Sequence, residues 1–335
     1  MSSGERVLLD HGAGGRLTRQ LIERDILTRF RSLILRRLDD SAVFRLGDLK
    51  LAYSTDSFVV DPIFFRGGDI GKLAVCGTVN DLAVSGAQPA YMTLSLIVEE
   101  GFPMADLRRI LDSIRDTATK ADVEIVAGDT KVVGVGGVDK IFINTSGLGI
   151  VIREVSGSNA RVGDKVIVSG FVGDHGIAIL SQREGLDFKV PICSDCAPLN
   201  SLVSLILKTS EEVHAMRDPT RGGLATALNE IAIQSGVGIR IYEESVPVRD
   251  EVRGACEMLG LDPMYVANEG KVVVFVSSED APKVLEVMRG HEHGKDSQLI
   301  GEVTDGPRGT VIMKTRIGGE RIVDMLTGEQ LPRIC

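Results

Sequence analysis

Hydrophobic residues along this chain switch between a period that suits strands and one that suits helices. Residues 104–121 place Met104, Leu107, Ile110, Leu111, Ile114, Ala118 and Ala121 at helical spacing and predict an amphipathic helix. Residues 50–60 predict a strand interrupted by polar Asp56, and residues 70–86 a helix with a small-residue face of Ala74, Gly77, Asp81 and Ser85. Further strands are predicted at 91–99, 123–133 and 141–152, followed by a Gly/Ser-rich linker over 153–163. Beyond it, a strand at 165–169 and a glycine turn lead into helices at 174–184, 199–214 and 221–235. Strands at 238–243 and 265–277, a helix at 280–290 and strands at 299–304 and 310–323 complete the pattern. Neither half keeps a strict strand–helix–strand rhythm, so the prediction is an α+β chain with mixed sheets.

The length of 335 residues exceeds the size at which one core stops growing, which predicts two domains. The expected division is a glycine-rich segment over 1–35, domains over 36–155 and 156–317, and a mobile tail over 318–335. That tail carries Gly318-Gly319, a polar stretch over 324–330 and the terminal Pro332-Arg333-Ile334-Cys335. Proline keeps the end extended, and the terminal thiol is expected to belong to no folded element and to bury no apolar surface. A thiol on a movable arm can be modified at one place and presented at another. A frayed end that happens to finish in cysteine is the plainer alternative.

A net charge of −9 argues against recognition of a nucleic-acid backbone, which calls for clustered Lys and Arg. The absence of Trp, 4% aromatics and 38 glycines favour backbone-rich loops around small ligands over stacking platforms. No apolar run is long enough for a membrane span, and residues 1–15 show no apolar signal region. Five cysteines without a regular framework suit a reducing compartment, so a cytoplasmic location is expected. Cys193 and Cys196 form one C-x-x-C; without a second pair at zinc spacing they read as structural or incidental thiols.

Asp40, Asp56, Asp81, Asp129 and Asp218 each sit at a strand end or beside Gly, Ser or Thr. Any one of them alone reads as a solvated surface carboxylate. Asp56 and Asp81, however, interrupt apolar elements, where a carboxylate is costly unless paired or bound to a cation. Several hard oxygen ligands suit Mg²⁺ shared with nucleotide phosphates. Three glycine turns offer close backbone approach to phosphates: Gly12, Gly14 and Gly15 after His11; Gly170 to Gly176; and Arg221-Gly222-Gly223. Lys131, following Asp129-Thr130, is placed to neutralise a transferring phosphoryl group, with a surface lysine as the alternative. Glu269, at the edge of the apolar run 272–276, is a candidate general base or else a satisfied structural carboxylate. His175 is a candidate proton carrier or phosphate donor.

In order along the chain, Ser54-Thr55-Asp56-Ser57, Asn80-Asp81-Leu82-Ala83, Gly128-Asp129-Thr130-Lys131 and Asp218-Pro219-Thr220-Arg221-Gly222-Gly223 resemble motifs of the aminoimidazole-ribonucleotide synthetase superfamily. Those enzymes use ATP to phosphorylate an amide or similar oxygen. The His11–Gly15 turn, Gly173-Asp174-His175-Gly176, Asn268-Glu269-Gly270-Lys271 and the terminal Pro-Arg-Ile-Cys are most similar to its branch of carbamoyl dehydratases that serve hydrogenase maturation. The resemblance runs from residue 8 to 335. It implies two synthetase-type domains, a homodimer paired through the N-terminal sheet, and ATP between the domains. Gly12, Gly14, Gly15, Asp56, Lys72, Asn80, Asp81, Asp129, Thr130 and Arg221 would contact the nucleotide. Mg²⁺ would be held among Asp40, Asp56, Asp81, Asp129 and Asp218, with Asp40 chosen over Asp39. The resemblance further implies that a partner carbamoyltransferase loads Cys335, and that the thiocarbamate oxygen then attacks the γ-phosphate with help from Lys131. Glu269, or alternatively His175, would remove the nitrogen protons. The resulting thiocyanate would pass cyanide to iron-scaffold maturation proteins. Two other readings compete: an ATP-dependent relative acting on a free small molecule, and a non-catalytic thiol scaffold for a metal.

Overall fold

The computed structural model describes residues 6–186, 190–328 and 330–335; residues 1–5 of the expected N-terminal segment and residue 329 of the expected tail lie outside them. A short helix α1 (Arg16–Leu21) precedes the first sheet, whose strands are β1 (Ala42–Leu46), β2 (Leu49–Phe58), β5 (Ala87–Glu99), β6 (Glu124–Val133) and β7 (Ile141–Val151). Between β2 and β5 a small hairpin of β3 (Phe64–Phe65) and β4 (Gly68–Asp69) leads into helix α2 (Ile70–Val84). Helix α3 (Met104–Lys120) connects β5 to β6, which pair in parallel while the other described pairs of this sheet are antiparallel, as a crossover helix allows. The strand order is β1-β2-β7-β5-β6, with β6 at an edge.

Helix α2 starts where the Asp69 carboxylate accepts the amide protons of Gly71 and Lys72 at 2.7 and 3.1 Å. It is buried on nearly every side. An all-round apolar helix has no solvent face to offer, and α2 indeed lies between the first sheet and the second half of the chain. Phe58, Leu73 and Val79 pack in one core with Ile179, Cys196, Ala267 and the terminal Ile334 and Cys335.

The second half contains β8 (Lys165–Val168), α4 (Asp174–Arg183), α5 (Asn200–Thr209), β9 (Val213–Arg217), α6 (Gly223–Ser235), β10 (Gly238–Tyr242), α7 (Asp250–Leu259), β11 (Val273–Val276), α8 (Ala281–Arg289), β12 (Gln298–Thr304), β13 (Thr310–Lys314) and β14 (Glu320–Val323). Its seven-stranded mixed sheet runs β14-β13-β10-β12-β8-β11-β9. Leu224 and Leu228 of α6 pack on one side of this sheet, whereas Leu202 and Val284 of α5 and α8 pack on the other.

Several expectations are corrected. The helix expected over 199–214 ends at Thr209, and its last part belongs to strand β9. The strand expected over 265–277 shrinks to β11, because Pro263–Tyr265 forms a 3-10 turn. Gly318-Gly319 is the turn of the β13–β14 hairpin, so the segment after 317 contributes a strand to the second sheet. The terminus is not free of the fold either. Ile334 and Cys335 are buried, and the backbone amides of Val59 and Asp61 donate to the carbonyls of Cys335 and Arg333 at 3.0 and 3.2 Å. Ordinary strand-type pairing and an apolar neighbour thus hold what the sequence presents as a loose end.

Candidate active site

The first group of side chains is a nest of carboxylates at the junction of the two halves. Asp40 precedes β1, Asp56 ends β2, Asp81 lies on α2 and Asp218 follows β9. Carboxylate oxygens of Asp40, Asp81 and Asp218 all lie within 4.8 Å of one another. Burial raises Asp40, Asp56 and Asp81 above the usual carboxylate range; repulsion from the neighbouring carboxylates adds to the shift at Asp40 and Asp81. Burial likewise pushes Asp218 up to about 6. Only part of that charge is balanced within the chain: Arg217 pairs with Asp40 at 2.9 Å and with Glu230 at 3.0 Å. Ser54 donates to Asp81 at 2.6 Å, and Thr78 to Asp56 at 3.0 Å. A compact set of hard oxygen donors with a surplus of negative charge fits Mg²⁺. Asp39 turns elsewhere, accepting from Ser156 and from the Gly157 amide.

These carboxylates line a cavity of about 300 Å³ shared with Gly14, Gly15, Thr18 and Arg221. Gly14 has φ +75°, and a Cβ there would lie 2.6 Å from the Arg221 Cβ, so only glycine lets this turn close on Arg221. Gly12 instead lines the neighbouring cavity, which holds the tail.

Arg221 borders both cavities. Its guanidinium donates to the Cys335 sulfur at 3.4 Å. Burial still pushes the Cys335 thiol up to about 11, because the stabilising Arg221 charge is opposed by Glu269 and Asp56. Glu269 is buried, and one of its carboxylate oxygens has no hydrogen-bond partner. Desolvation, with Cys196, Asp218 and Asp195 nearby, raises it well above the ordinary range. A buried carboxylate with a raised pKa and an unpaired oxygen is a candidate for proton transfer.

His175 has a different task. Its Nε2 lies 2.8 Å from the Ile334 carbonyl and its Nδ1 2.8 Å from the Ser194 hydroxyl. A carbonyl can only accept, so the proton sits on Nε2 and Nδ1 accepts from Ser194. Burial lowers the His175 pKa and keeps the ring neutral. Both nitrogens are thus occupied, Nε2 on the tail and Nδ1 on Ser194, whereas Glu269 keeps one carboxylate oxygen unpaired. Arg183 also holds the tail, donating to the carbonyls of Pro332 and Arg333 at 2.6 and 2.9 Å. Sequence reasoning missed Arg183, and nothing in its local context marks it.

Other expected residues lie elsewhere. Asn80 has both amide protons on the carbonyls of Ala197 and Glu269, and its oxygen on the Leu199 amide, so it ties the two halves together and presents nothing to a nucleotide. The Lys72 ammonium donates to the Gly67 carbonyl at 2.8 Å and lies outside the carboxylate cavity. Asp129, Thr130 and Lys131 are exposed on the edge strand β6, where Asp129 and Lys131 pair with each other at 2.9 Å. The Gly170–Gly176 turn gives its Gly173 amide to Asn268 and its Gly176 amide to Ala267, which withdraws both from any anion.

Sequence models of the AIR synthase related protein match this chain with their N-terminal domain over residues 38–151 and their C-terminal domain over 161–314. A carbamoyl dehydratase HypE from Cupriavidus necator is 50% identical over 333 residues, covering 98% of this chain and 95% of the relative. The chain belongs to the HypE family of AIR synthase related proteins. A HypE solved in complex with HypF superposes with a TM-score of 0.87 at 51% identity, over 91% of this chain and 99% of that one. A HypE solved in complex with ATP matches with a TM-score of 0.83 at 49% identity, over 98% of this chain and 100% of that one. The HypE family is thus a family of carbamoyl dehydratases built on two AIR synthase domains. No helix among the described residues is long and apolar enough to cross a membrane.

Proposed function

We propose that this chain dehydrates an S-carbamoyl group on its own Cys335 to a thiocyanate at the expense of ATP, supplying the cyanide ligand of the iron in NiFe hydrogenases. The observation that carries this reading is the seat of Cys335, whose sulfur rests on Arg221 at the junction of the tail cavity and the carboxylate cavity.

A docked thiol with a pKa near 11 is protonated and a poor nucleophile, so loading by a partner carbamoyltransferase takes place with the tail away from its seat. The relative solved with HypF favours such a partner. Once the carbamoylated tail is docked, His175 and Arg183 fix its carbonyls, and Arg221 orients the thiocarbamate. The carbamoyl oxygen then attacks the γ-phosphorus of ATP and ADP departs. Glu269 takes one nitrogen proton as that bond forms and passes it to an oxygen of the transferred phosphoryl group, which frees it to take the second as the C–O bond breaks. Inorganic phosphate carries the oxygen away, leaving S–C≡N on Cys335. Asp40, Asp81 and Asp218, with Asp56 beside them, would hold Mg²⁺, which when bound neutralises phosphate charge.

The exposed face of the first sheet favours a homodimer. Tyr53, Leu148 and Tyr91 lie opposite one another across β2, β7 and β5, and Tyr53, Tyr91, Ile97 and Ile150 are 41–50% exposed. In such a dimer Lys131, remote from the cavity of its own chain, would serve the partner's site. A reducing cytoplasm suits the free thiol, and iron-scaffold maturation proteins are the expected cyanide acceptors. Replacing Glu269 by Gln is expected to slow dehydration at least about a hundredfold while ATP affinity stays within about twofold. Single-turnover kinetics and ATP titration check this, and unchanged turnover removes Glu269 as base.

A further inference from the structure

The C-x-x-C segment, which the reaction does not use through its thiols, runs along the back wall of the site. Ser194 and Asp195 lie between its two cysteines and reach His175, which holds the Ile334 carbonyl, and the backbone of Glu269. The Ser194 hydroxyl lies on His175, which holds the tail, and is itself fixed by the Cys196 amide at 3.1 Å. The Asp195 carboxylate accepts the Glu269 amide proton at 3.1 Å on one oxygen and the Gly270 amide proton at 3.3 Å on the other. Its charge is matched by Lys271, whose ammonium lies 3.0 Å away with only 12% of its side chain exposed, against 3% for Asp195. Lys271 also donates to the Gly270 carbonyl at 3.1 Å. The approach is so close that a Cβ on Gly270 would fall 1.9 Å from the Asp195 carbonyl oxygen.

From this geometry we infer that Asp195 is a positioning residue for dehydration: by holding two consecutive amides it fixes the backbone of Glu269 and so aims the unpartnered carboxylate at the Cys335 substrate. The inference rests on the reading of Glu269 as the base. Among the described residues Glu269 has little else to orient it: one of its carboxylate oxygens is unpaired, and its backbone carbonyl takes a 3.3 Å contact from Asn80 and a 3.5 Å contact from the Ala197 amide. Small errors in the placement of a reacting group are costly to rate while leaving substrate binding intact. The loss should therefore fall on turnover and not on ATP affinity.

A buried ion pair could instead serve stability alone, and the variants separate the two roles. Asp195→Asn keeps the shape and one acceptor oxygen but turns an amide donor toward one of the two backbone N–H groups. Asp195→Asn combined with Lys271→Met also removes the stranded lysine charge, so it protects the fold if the single variant is unstable. The test uses the full-length protein carbamoylated on Cys335, with ATP titration and single-turnover water loss as readouts. Both variants are expected to lose water about tenfold more slowly, with Cys335 loading and ATP affinity within about twofold of the native protein. Native turnover by the double variant, beside an inactive Glu269→Gln, overturns this inference alone. Native turnover by Glu269→Gln overturns the base reading and this inference with it.

Discussion

At the scale of single residues, the site is a set of charges kept out of water. Asp56 and Asp81 were legible in the sequence because a carboxylate inside an apolar element needs a partner, and both stand in the cavity. Asp129 lies apart from the cavity of its own chain because β6 is an edge strand, a placement that the Asp-Thr-Lys run does not disclose and only the strand order β5-β6 reveals. Asn80, beside Asp81 in sequence, instead bonds across the junction of the two halves, because adjacent helical residues point in different directions. The raised carboxylates also set a pH dependence. Asp218 moves from 3.8 in an ordinary setting to about 6 in the fold, so its protonated form stabilises the fold fully below 3.8 and ceases to do so as pH rises through about 6. The metal-free protein should therefore lose this contribution toward neutral pH, where the carboxylates are free to take Mg²⁺. The gain in Tm from Mg²⁺ with ATP is expected to be larger at about pH 7.5 than at about pH 5.5 by scanning fluorimetry. An equal gain at both would show that these carboxylates do not bind the metal.

At the scale of elements, amphipathic helices such as α3 were plain because their apolar residues recur at one spacing. The five-residue strand β9 was hidden: every residue is buried, including His214 and Arg217, so it shows no alternation and reads as a continuation of α5. Strand β11 was overextended toward its N-terminus for a different reason: the amides of Asn268, Glu269 and Gly270 bond to Pro219 and Asp195 outside the sheet, which the sequence does not disclose. Helix α2 joins the halves as much as it packs within one of them. Asn80→Ala on this helix removes the bonds that Asn80 gives to the carbonyls of Ala197 and Glu269 and takes the acceptor from the buried Leu199 amide. The expected loss is on the order of 3 kcal/mol, read as a lower midpoint in denaturant titration. A change below about 0.5 kcal/mol would mean that water replaces those bonds.

At the scale of the molecule, what the sequence could not disclose was the seat of the tail. The groups that hold it come from residues 59–61, His175, Arg183 and Arg221, which no local pattern connects to the last four residues. If Lys131 acts across a dimer, mixing equal amounts of Lys131→Ala and Glu269→Gln chains should restore about a quarter of native activity, since one site in each mixed dimer is intact. No restoration would keep Lys131 within its own chain or outside the reaction. The central claim is tested most directly by the intact mass of the protein carbamoylated on Cys335, followed by mapping of the C-terminal peptide. The account predicts a carbamoyl adduct on Cys335 that loses the mass of one water only when ATP is added, and a Cys335→Ala protein that gains no adduct. A carbamoyl adduct that persists with ATP while ATP is hydrolysed, or water loss without ATP, would contradict it.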